Sequence, residues 1–281
     1  MGVYVTGITG FIGSALRRRL LEEGFEVHEC RVDITNAAQV KREILSMKPS
    51  VVVHLAAIVS TPWADEADWY AFDVNVKGTY NVAKYSKMAG ARFIYASSTS
   101  VYRPTDKPIT EESEIRPTTV YNLTKYMGEE VTRNIYGDDC LILRFSHIYG
   151  PEKDHCSIPL KVIRSSATGY PAVILASPDS VRSYLYIDDL VDLLLKVIDS
   201  DLTGVYNVSS DEYMKLSEVV STVTKKIEEK GGNVPIVVWR PESDYMGTHM
   251  VVSEKIKQAT GWRSRTPFER GVEICVSRLI P

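Results

Sequence analysis

The sequence predicts an α/β fold with a doubly wound parallel sheet and a smaller C-terminal lobe. Three observations support this fold class. Short apolar segments alternate with amphipathic helical segments through the first half of the 281 residues. The segment "VVVHLAA" at 51–57 is almost continuously apolar, as in a strand buried on both faces of a parallel sheet. After Gly150 the alternation loosens and prolines become frequent, which indicates a second, less regular part.

Each element of the first half has its own signal. The apolar strand Val3–Val5 precedes a helix over Phe11–Glu22, where apolar side chains recur at helical spacing opposite a run of arginines. A strand over Phe25–Cys30 leads to a helix that Thr35 or Asn36 caps. The remaining elements of this half are the strand at 51–57, a helix at 68–88, a strand at 92–97, a helix at 118–136 and a strand at 140–145.

Three glycines run from the end of the first strand into the first turn of the first helix. Gly7 fits a tight turn, Gly10 lets a pyrophosphate approach the backbone, and Gly13 lets the helix pack closely on the strand. The first turn of the helix, with Phe11 and Ile12, then offers free N–H groups and a positive dipole end to the phosphates. A glycine loop in this strand–loop–helix context favours a Rossmann-type dinucleotide site.

We therefore expect two functional parts. Residues 1–150 should form the dinucleotide-binding domain, and 181–210 should return to it as one more strand and helix. Residues 151–180 and 211–281 should form the smaller lobe, laid over the carboxyl edge of the sheet, and bind the substrate.

Composition and charge exclude several functional classes. The formal net charge is −3, which argues against a surface for nucleic acid or anionic membranes. No apolar run approaches the roughly 20 residues that span a bilayer, and the first strand begins too early to leave room for a signal peptide. The four cysteines lack the spacing of a zinc site or a disulfide framework. We expect a cytoplasmic protein with no metal, nucleic acid or membrane partner.

The pattern Tyr-x-x-x-Lys puts a phenol and an ammonium on one helical face. The three occurrences are Tyr80 with Lys84, Tyr121 with Lys125, and Tyr149 with Lys153. The last pair straddles "YGPEK", where glycine and proline break a helix. The middle pair follows "YASSTSVY", a strand that runs into a Ser/Thr cluster. An ammonium beside Tyr121 favours its phenolate, so Tyr121 can accept and return a proton.

These motifs resemble those of the extended short-chain dehydrogenase/reductase family, over almost the whole chain. "GITGFIG" is similar to its glycine loop, "NVKGTYN" to a structural helix that includes Tyr80, and "YNLTK" to its catalytic tyrosine and lysine. The resemblance implies that Tyr121 and Lys125 are catalytic and that Ser98 donates to the reacting oxygen. Thr99 is the alternative to Ser98 and is also expected to contact the substrate.

The resemblance also implies a nicotinamide cofactor, NAD or NADP. In the members that use NAD an acidic residue ends the second strand, whereas Arg31 occupies this position here and can meet a 2′-phosphate. Arg31 favours NADP, but Glu29 lies two residues earlier and NAD stays open. The other expected cofactor contacts are Asp33 and Ile34 on the adenosine side, and Leu55, Ala56 and Ala57 of the "HLAA" motif.

The second part resembles the family's substrate lobe. In "RFSHIYGP", His147 replaces the asparagine that contacts the diphosphate of a nucleotide sugar. Arg182 and Arg240 resemble two arginines that meet the same diphosphate. The family's "GDG" loop is absent, so recognition of the base stays open. The resemblance implies a nucleotide-diphosphate sugar as substrate and a homodimer formed through helices that include Thr118–Tyr136.

Three functions fit these residues. A nucleotide-sugar 4-epimerase needs only transient oxidation of one sugar carbon, which Ser98, Tyr121 and Lys125 supply. A nucleotide-sugar reductase or dehydrogenase would use the cofactor as a cosubstrate, which Arg31 and His147 favour. A non-catalytic cofactor-binding subunit is the third possibility, and the intact catalytic set argues against it.

Two related reactions depend on residues that differ here. Dehydratases of the family carry an Asp-Glu pair after the catalytic residue, whereas Thr99 and Ser100 follow Ser98, so water elimination is not expected. Epimerase–reductases use a cysteine and a histidine as proton shuttles. Ser100 replaces the cysteine, and His155 and Cys156 lie near the histidine position, which leaves a single proton donor open.

Overall fold

The computed structural model describes residues 1–59, 65–151 and 157–280. The chain divides into two compact units, each assembled from separate segments. Unit 1 comprises Met1–Arg103, Glu114–Phe145 and Val191–Tyr206, and unit 2 comprises Pro104–Ser113, Ser146–Leu190 and Asn207–Pro281. That the first unit binds a cofactor and the second a substrate stays a prediction.

Strands and helices alternate through the first half of the chain, as its apolar periodicity predicts, and the described residues of the two units together contain eleven strands and ten α-helices. The strands are β1 (Gly2–Thr6), β2 (Glu26–Glu29), β3 (Val51–His54), β4 (Arg92–Ser98), β5 (Cys140–Phe145), β6 (His147–Tyr149), β7 (Ala172–Ile174), β8 (Val181–Tyr186), β9 (Gly204–Val208), β10 (Tyr213–Lys215) and β11 (Val237–Trp239). The α-helices are α1 (Phe11–Glu22), α2 (Ala37–Met47), α3 (Asp65–Phe72), α4 (Thr79–Met88), α5 (Val120–Tyr136), α6 (Ile158–Thr168), α7 (Ile187–Ile198), α8 (Leu216–Glu229), α9 (Glu254–Thr260) and α10 (Phe268–Leu279).

The main sheet has six strands in the order β2-β1-β3-β4-β5-β9, and the pairs from β2 to β5 are parallel. The chain places β2 on one side of β1 and β3 on the other. Open α/β sheets bind ligands at the carboxyl ends of the strands where the order reverses in this way. The predicted α/β class with a parallel central sheet is confirmed, and the glycine loop lies at the reversal.

Two predicted elements differ from the structure. The strand predicted at 51–57 ends at His54, and the residues after it form a loop. The helix predicted at 68–88 is interrupted by a π-helical turn, Asp73–Gly78, between α3 and α4. A Cβ at Gly78 would lie 2.7 Å from the Ile34 side chain, so glycine here lets α4 approach the segment after β2.

The described residues of unit 2 form two small sheets, β10-β8-β6 and β11-β7. An aromatic cluster lies in its core, where the Tyr149 ring is 5.6 Å from that of Tyr186 and 5.3 Å from that of Phe268. Among the helices of the described residues, none has the length and apolar character needed to cross a membrane.

Candidate active site

The loop between β1 and α1 has a shape that requires glycine at two positions. Gly7 has a φ of +67°, and a Cβ there would lie 2.7 Å from the backbone nitrogen of Ala56 after β3. A Cβ at Gly13 would overlap the Gly7 carbonyl oxygen and lie 2.7 Å from Ile8 Cα. The loop, the following helix and the β3 loop are therefore in direct backbone contact.

The first turn of α1 can receive a diphosphate. Gly10 is its N-cap, so no side chain caps the turn, and the turn carries no acidic residue. The Gly10 backbone nitrogen donates to Gly7 O at 3.0 Å, which fixes the turn. Phe11 and Ile12, both half-buried, are the first residues of the helix. Uncapped N–H groups and the helix dipole attract an anion here, so this cradle fits the pyrophosphate of a dinucleotide.

A chain of buried hydrogen bonds holds the β3 loop, and no sequence motif pointed to it. The Thr79 hydroxyl donates to Asn75 O at 2.7 Å, so it accepts from His54 Nε2 at 2.9 Å. His54 Nδ1 then accepts from the Thr6 hydroxyl at 2.7 Å, which in turn accepts from the backbone nitrogen of Ala56 at 3.2 Å. Burial lowers the pKa of His54 to about 3, so the ring stays neutral near pH 7.

Asn75 joins the β3 loop to the predicted catalytic helix. Its side chain accepts from the backbone nitrogen of Ile58 at 2.8 Å and donates to the backbone oxygen of the same residue at 2.9 Å. It also donates to the Thr124 hydroxyl at 3.0 Å, and Thr124 donates to Tyr121 O at 2.9 Å. The segment 55–57, which holds the predicted contacts Leu55, Ala56 and Ala57, is therefore anchored at both ends.

The end of β2 differs in detail from the prediction. The strand closes on the carboxylate of Glu29, and Arg31 lies beyond it. Arg17 Nε donates to Glu29 Oε1 at 2.6 Å, which lowers the pKa of that carboxyl. Arg31 Nη2 lies 3.7 Å from Glu29 Oε2, and its side chain is 79% exposed. An acidic and a basic group thus stand together where an adenosine ribose would be recognised.

The two predicted contacts that follow have different settings. The exposed Asp33 accepts from the backbone nitrogen of Thr35 at 2.9 Å, as an Asx turn before α2. Ile34 is buried, and Gly78 makes room for its side chain. Packing therefore accounts for Ile34 without a cofactor.

The three predicted catalytic residues lie on β4 and α5, which pack against each other. Ser98 ends β4, and its Oγ lies 2.8 Å from the Ser100 Oγ and accepts from the Ser100 backbone nitrogen at 3.2 Å. Tyr121 and Lys125 lie one helical turn apart at the start of α5, where Thr119 caps the first turn through the backbone nitrogen of Asn122.

The side chains of Ser98 and Thr99 lie in different surroundings. Thr99 is buried, and its hydroxyl donates to Phe145 O on β5 at 3.3 Å. Ser98 is only partly buried. The geometry favours Ser98 as the primary hydroxyl, and the inward hydrogen bond of Thr99 does not support its predicted substrate contact.

Lys125 is an ammonium group in an enclosed place. It is 4% exposed, and its Nζ lies 4.4 Å from the centre of the Tyr95 ring. Burial lowers the pKa of Lys125 to about 7, and the negative charge of Glu129 acts in the opposite direction. Tyr95 also donates its hydroxyl to Lys125 O at 3.2 Å. A Cβ at Gly128 would lie 2.7 Å from Cζ of Tyr95, so this glycine lets α5 rest directly on the Tyr95 ring.

A buried ion pair below this site was missed in the sequence. Glu129 on α5 accepts from Arg144 Nε at 2.9 Å and Nη2 at 2.6 Å, and from Ser97 Oγ at 2.5 Å. Arg144 Nη1 also donates to Tyr102 Oη at 2.7 Å. An arginine inside the apolar strand "CLILRF" was the available signal, because a buried cation needs a partner.

The other two Tyr/Lys pairs have surroundings unlike those of Lys125. Tyr80 is 43% exposed, and Lys84 Nζ lies 5.4 Å from its ring centre. Tyr149 is buried and donates its hydroxyl to Phe268 O at 3.1 Å. Three residues named above lie outside the described residues, namely Lys153, His155 and Cys156.

In unit 2 the predicted diphosphate contacts are partly engaged by the protein itself. Arg182 is 4% exposed and donates to Asp244 Oδ1 at 3.1 Å and to Gly247 O at 2.5 Å. Burial and the charge of Arg182 hold the pKa of His147 well below its usual value. Arg240 is exposed and follows β11. Arg182 would therefore meet an anion only through the nitrogen atoms that Asp244 and Gly247 leave available.

Comparison with known proteins gives a consistent result. A model of the NAD dependent epimerase/dehydratase family matches residues 3–209. The UDP-glucose 4-epimerase of Mycolicibacterium smegmatis is 30% identical over 227 residues, which is 70% of this chain and 72% of that protein. The Thermus thermophilus UDP-glucose 4-epimerase, solved with NAD, has a TM-score of 0.87 and 26% identity and covers 99% of both chains. The dTDP-4-dehydrorhamnose reductase of Bacillus anthracis, solved with NADP, has a TM-score of 0.82 at 24% identity and covers 97% of both chains.

Proposed function

Because the chain belongs to the NAD-dependent epimerase/dehydratase family and is an NAD-dependent enzyme of the oxidoreductase type, we propose that it is a nucleotide-sugar 4-epimerase. One observation carries this proposal. The buried Lys125 ammonium lies one helical turn from Tyr121, on a helix packed against the strand that Ser98 ends. This is the group set that transient oxidation of a hydroxyl requires.

The residues of this chain divide the work between binding and proton transfer. The Gly7–Gly13 cradle would hold the pyrophosphate, and Lys125 would bind the nicotinamide ribose. The nicotinamide, when bound, supplies an acceptor for a hydride from a sugar carbon and can return it. Lys125, enclosed and protonated below about pH 7, lowers the cost of forming the Tyr121 phenolate.

Proton transfer would then be local and balanced. The Tyr121 phenolate takes the proton of the sugar 4-hydroxyl as the C4–H bond breaks, and a 4-keto sugar forms. Ser98 would donate a hydrogen bond to the same oxygen and stabilise its charge. After the keto sugar rotates in the site, Tyr121 returns the proton and the C4–H bond re-forms on the other face of the sugar. No water is lost, in keeping with Thr99 and Ser100 in place of an acid pair after Ser98.

The substrate proposed is a nucleotide-diphosphate sugar, with UDP-glucose as the first to test. UDP-glucose 4-epimerase is the name of the relatives from Mycolicibacterium smegmatis and Thermus thermophilus. His147, Arg182 and Arg240 are the proposed diphosphate contacts in unit 2. Arg240, exposed, is the most accessible of these cations.

The experiment starts from the purified protein. It is denatured, and the released cofactor is identified with its redox state. The protein is then incubated with UDP-, GDP- and dTDP-sugars, and the sugar products are separated. A retained cofactor and interconversion of UDP-glucose and UDP-galactose without net change in cofactor redox state would support the proposal. Consumption of one cofactor molecule for each sugar would exclude an epimerase.

A nucleotide-sugar reductase or dehydrogenase is the second candidate, favoured by the exposed Arg31. Its guanidinium is accessible at the end of β2, where it can pair with the 2′-phosphate of NADP. Glu29 beside it suits a ribose with free hydroxyls, so both NAD and NADP are tested in each assay.

A homodimer is also proposed, on the basis of an exposed aromatic surface. Trp69 is 78% and Tyr80 43% exposed, and with Val131 of α5 they line a cavity of about 520 Å³. Asp73 and Lys77 also line this mainly apolar cavity. Exposed apolar surfaces mark interaction sites, and the proposed partner here is a second copy that buries part of α5. A cytoplasmic location stays a prediction; Cys30, Cys140 and Cys275 are free thiols.

A further inference from the structure

We propose that Glu129 is a positioning residue for the reaction: its anchored carboxylate keeps the buried Lys125 ammonium charged and ties α5 to the end of β4. The kinetic consequence rests on the proposed function. The effect on Lys125 itself requires no substrate and can be measured separately.

The Glu129 carboxylate is immobilised by four donors. Oε1 accepts from Ser97 Oγ at 2.5 Å and Arg144 Nε at 2.9 Å, and Oε2 accepts from Arg144 Nη2 at 2.6 Å and Arg133 Nη2 at 3.1 Å. The side chain is 0% exposed. Such an arrangement fixes one negative charge inside the protein at a defined place.

This charge lies one helical turn beyond Lys125 on α5. Burial favours the neutral amine of Lys125 and lowers its pKa to about 7, and Glu129 is the group that counteracts burial. Among the described residues, the titratable groups that interact with Lys125 are Glu129 on α5, Tyr95 on β4 and His54 on β3, and Tyr121 on α5 interacts with Tyr95.

These other groups do not supply a negative charge near pH 7. Burial lowers the pKa of His54 to about 3, which keeps the ring neutral, and burial raises the pKa of Tyr95 well above 10. Tyr121 becomes negative only when it forms the phenolate that Lys125 must stabilise. Among the described groups around Lys125, Glu129 therefore provides the standing counter-charge.

Glu129 also contacts the strand that carries the catalytic hydroxyl. Ser97, its donor, directly precedes Ser98 at the end of β4. One carboxylate thus connects the Ser98 strand with the helix of Tyr121 and Lys125. Rearrangement of this carboxylate would move both halves of the catalytic set.

The direct test is the side-chain titration of Lys125 by heteronuclear NMR on the full chain, with its signal assigned by its loss in Lys125→Met. Glu129→Gln should lower the pKa of Lys125 by about one unit or more. Glu130→Gln, the matched control, removes a charge from the next residue, which is 53% exposed, and should leave it unchanged. An unchanged Lys125 pKa in Glu129→Gln overturns the proposal.

Glu129→Gln leaves Arg144 buried without its ion-pair partner and can fail to fold. The double variant Glu129→Gln/Arg144→Gln removes both charges and serves in its place. Its reference is Arg144→Gln, in which Glu129 keeps Ser97 and Arg133 as donors and only the cation is lost. The charge role predicts a lower Lys125 pKa in the double variant than in Arg144→Gln, whereas a purely structural pair predicts the same pKa in both. With a sugar that the enzyme converts, the alkaline limb of the pH profile of kcat/KM should move to lower pH by the same amount as the Lys125 pKa. Absence of turnover with every sugar would count against the proposed function only.

Discussion

Lys125 Nζ lies 4.4 Å from the centre of the Tyr95 ring, and the Tyr95 hydroxyl donates to the Lys125 carbonyl oxygen at 3.2 Å. The same tyrosine thus holds both the backbone and the ammonium of one lysine. This contact keeps a charged group in a place that water barely reaches, and burying that charge lowers the stability of the fold.

Replacing Lys125 by methionine should stabilise the fold while it removes activity. Below about pH 7 the lysine is protonated in both the folded and unfolded chain, and the folded chain bears the full cost of burying the charge. Between about 7 and 10.5 only the unfolded chain keeps the proton, so wild-type stability rises with pH across this window. Urea unfolding should show Lys125→Met more stable by on the order of a few kcal/mol below pH 7, with the gain shrinking towards pH 10.5. A gain that does not depend on pH would contradict this account.

Tyr121→Phe should lower kcat by about a hundred- to ten-thousand-fold, because the variant lacks the proton acceptor. Its melting temperature and cofactor content should match the wild type. The matched control is Tyr80→Phe, which removes the same hydroxyl from a Tyr-x-x-x-Lys pair on α4 and should leave kcat unaltered. Wild-type turnover in Tyr121→Phe would revive a non-catalytic cofactor-binding subunit.

Two glycine substitutions should separate cofactor binding from folding. Gly10 has a φ of −75°, which alanine adopts easily, so Gly10→Ala should change stability by less than about 1 kcal/mol but weaken NAD binding at least tenfold, about 1.4 kcal/mol. A Cβ at Gly13 overlaps the Gly7 carbonyl oxygen, so Gly13→Ala should cost about 2 kcal/mol or more of folding free energy. Calorimetric titration measures the NAD affinity of each variant, and urea unfolding measures its folding free energy. Tight NAD binding by Gly10→Ala would contradict the proposed phosphate site in this loop.

Arg31→Ala should weaken NADP binding by about tenfold and leave NAD binding unaltered, because only NADP carries the 2′-phosphate that the guanidinium can pair with. Arg42→Ala, at an exposed arginine of α2, is the control and should affect neither cofactor. Dissociation constants of both cofactors for each variant decide the matter. Equal losses of affinity for NAD and NADP would show that Arg31 contacts a group other than the 2′-phosphate.

Trp69→Arg should convert a dimer to a monomer in light scattering, because it puts a charge into the apolar hollow beside α5. Tyr170→Arg is the control, since Tyr170 has the same 78% exposure as Trp69 but lies after α6 in unit 2. If the wild-type protein is itself a monomer at micromolar concentration, the proposed second copy is not the partner of this surface.

The parts of the site that were predictable depend on short stretches of chain. Gly7 to Gly13 encode a turn and a helix start within a few residues, and Tyr121 with Lys125 needs only a helix and its cap. Local geometry of this kind is set by neighbouring residues and depends little on contacts with distant parts of the chain. The α/β class was readable for the same reason, because the period of the apolar residues changes between strand and helix.

The parts that were missed connect distant residues. Glu129 with Arg144, and Thr6 with His54 and Thr79, are contacts that only the folded sheet creates. The end of β2 depends on its pairing with β1, where Glu29 lies opposite Val5, and this register is not written in the β2 segment alone.

Gly128 makes two positions of the chain interdependent. It leaves the space that the Tyr95 ring occupies, and this ring in turn contacts the Lys125 ammonium. A library that varies residue 128 alone will push α5 away from the sheet and return inactive chains. One that varies residues 95 and 128 together, trading ring size for side-chain size, can shift the ammonium in small steps. The pair is therefore the place to begin redesigning this enzyme for a different working pH.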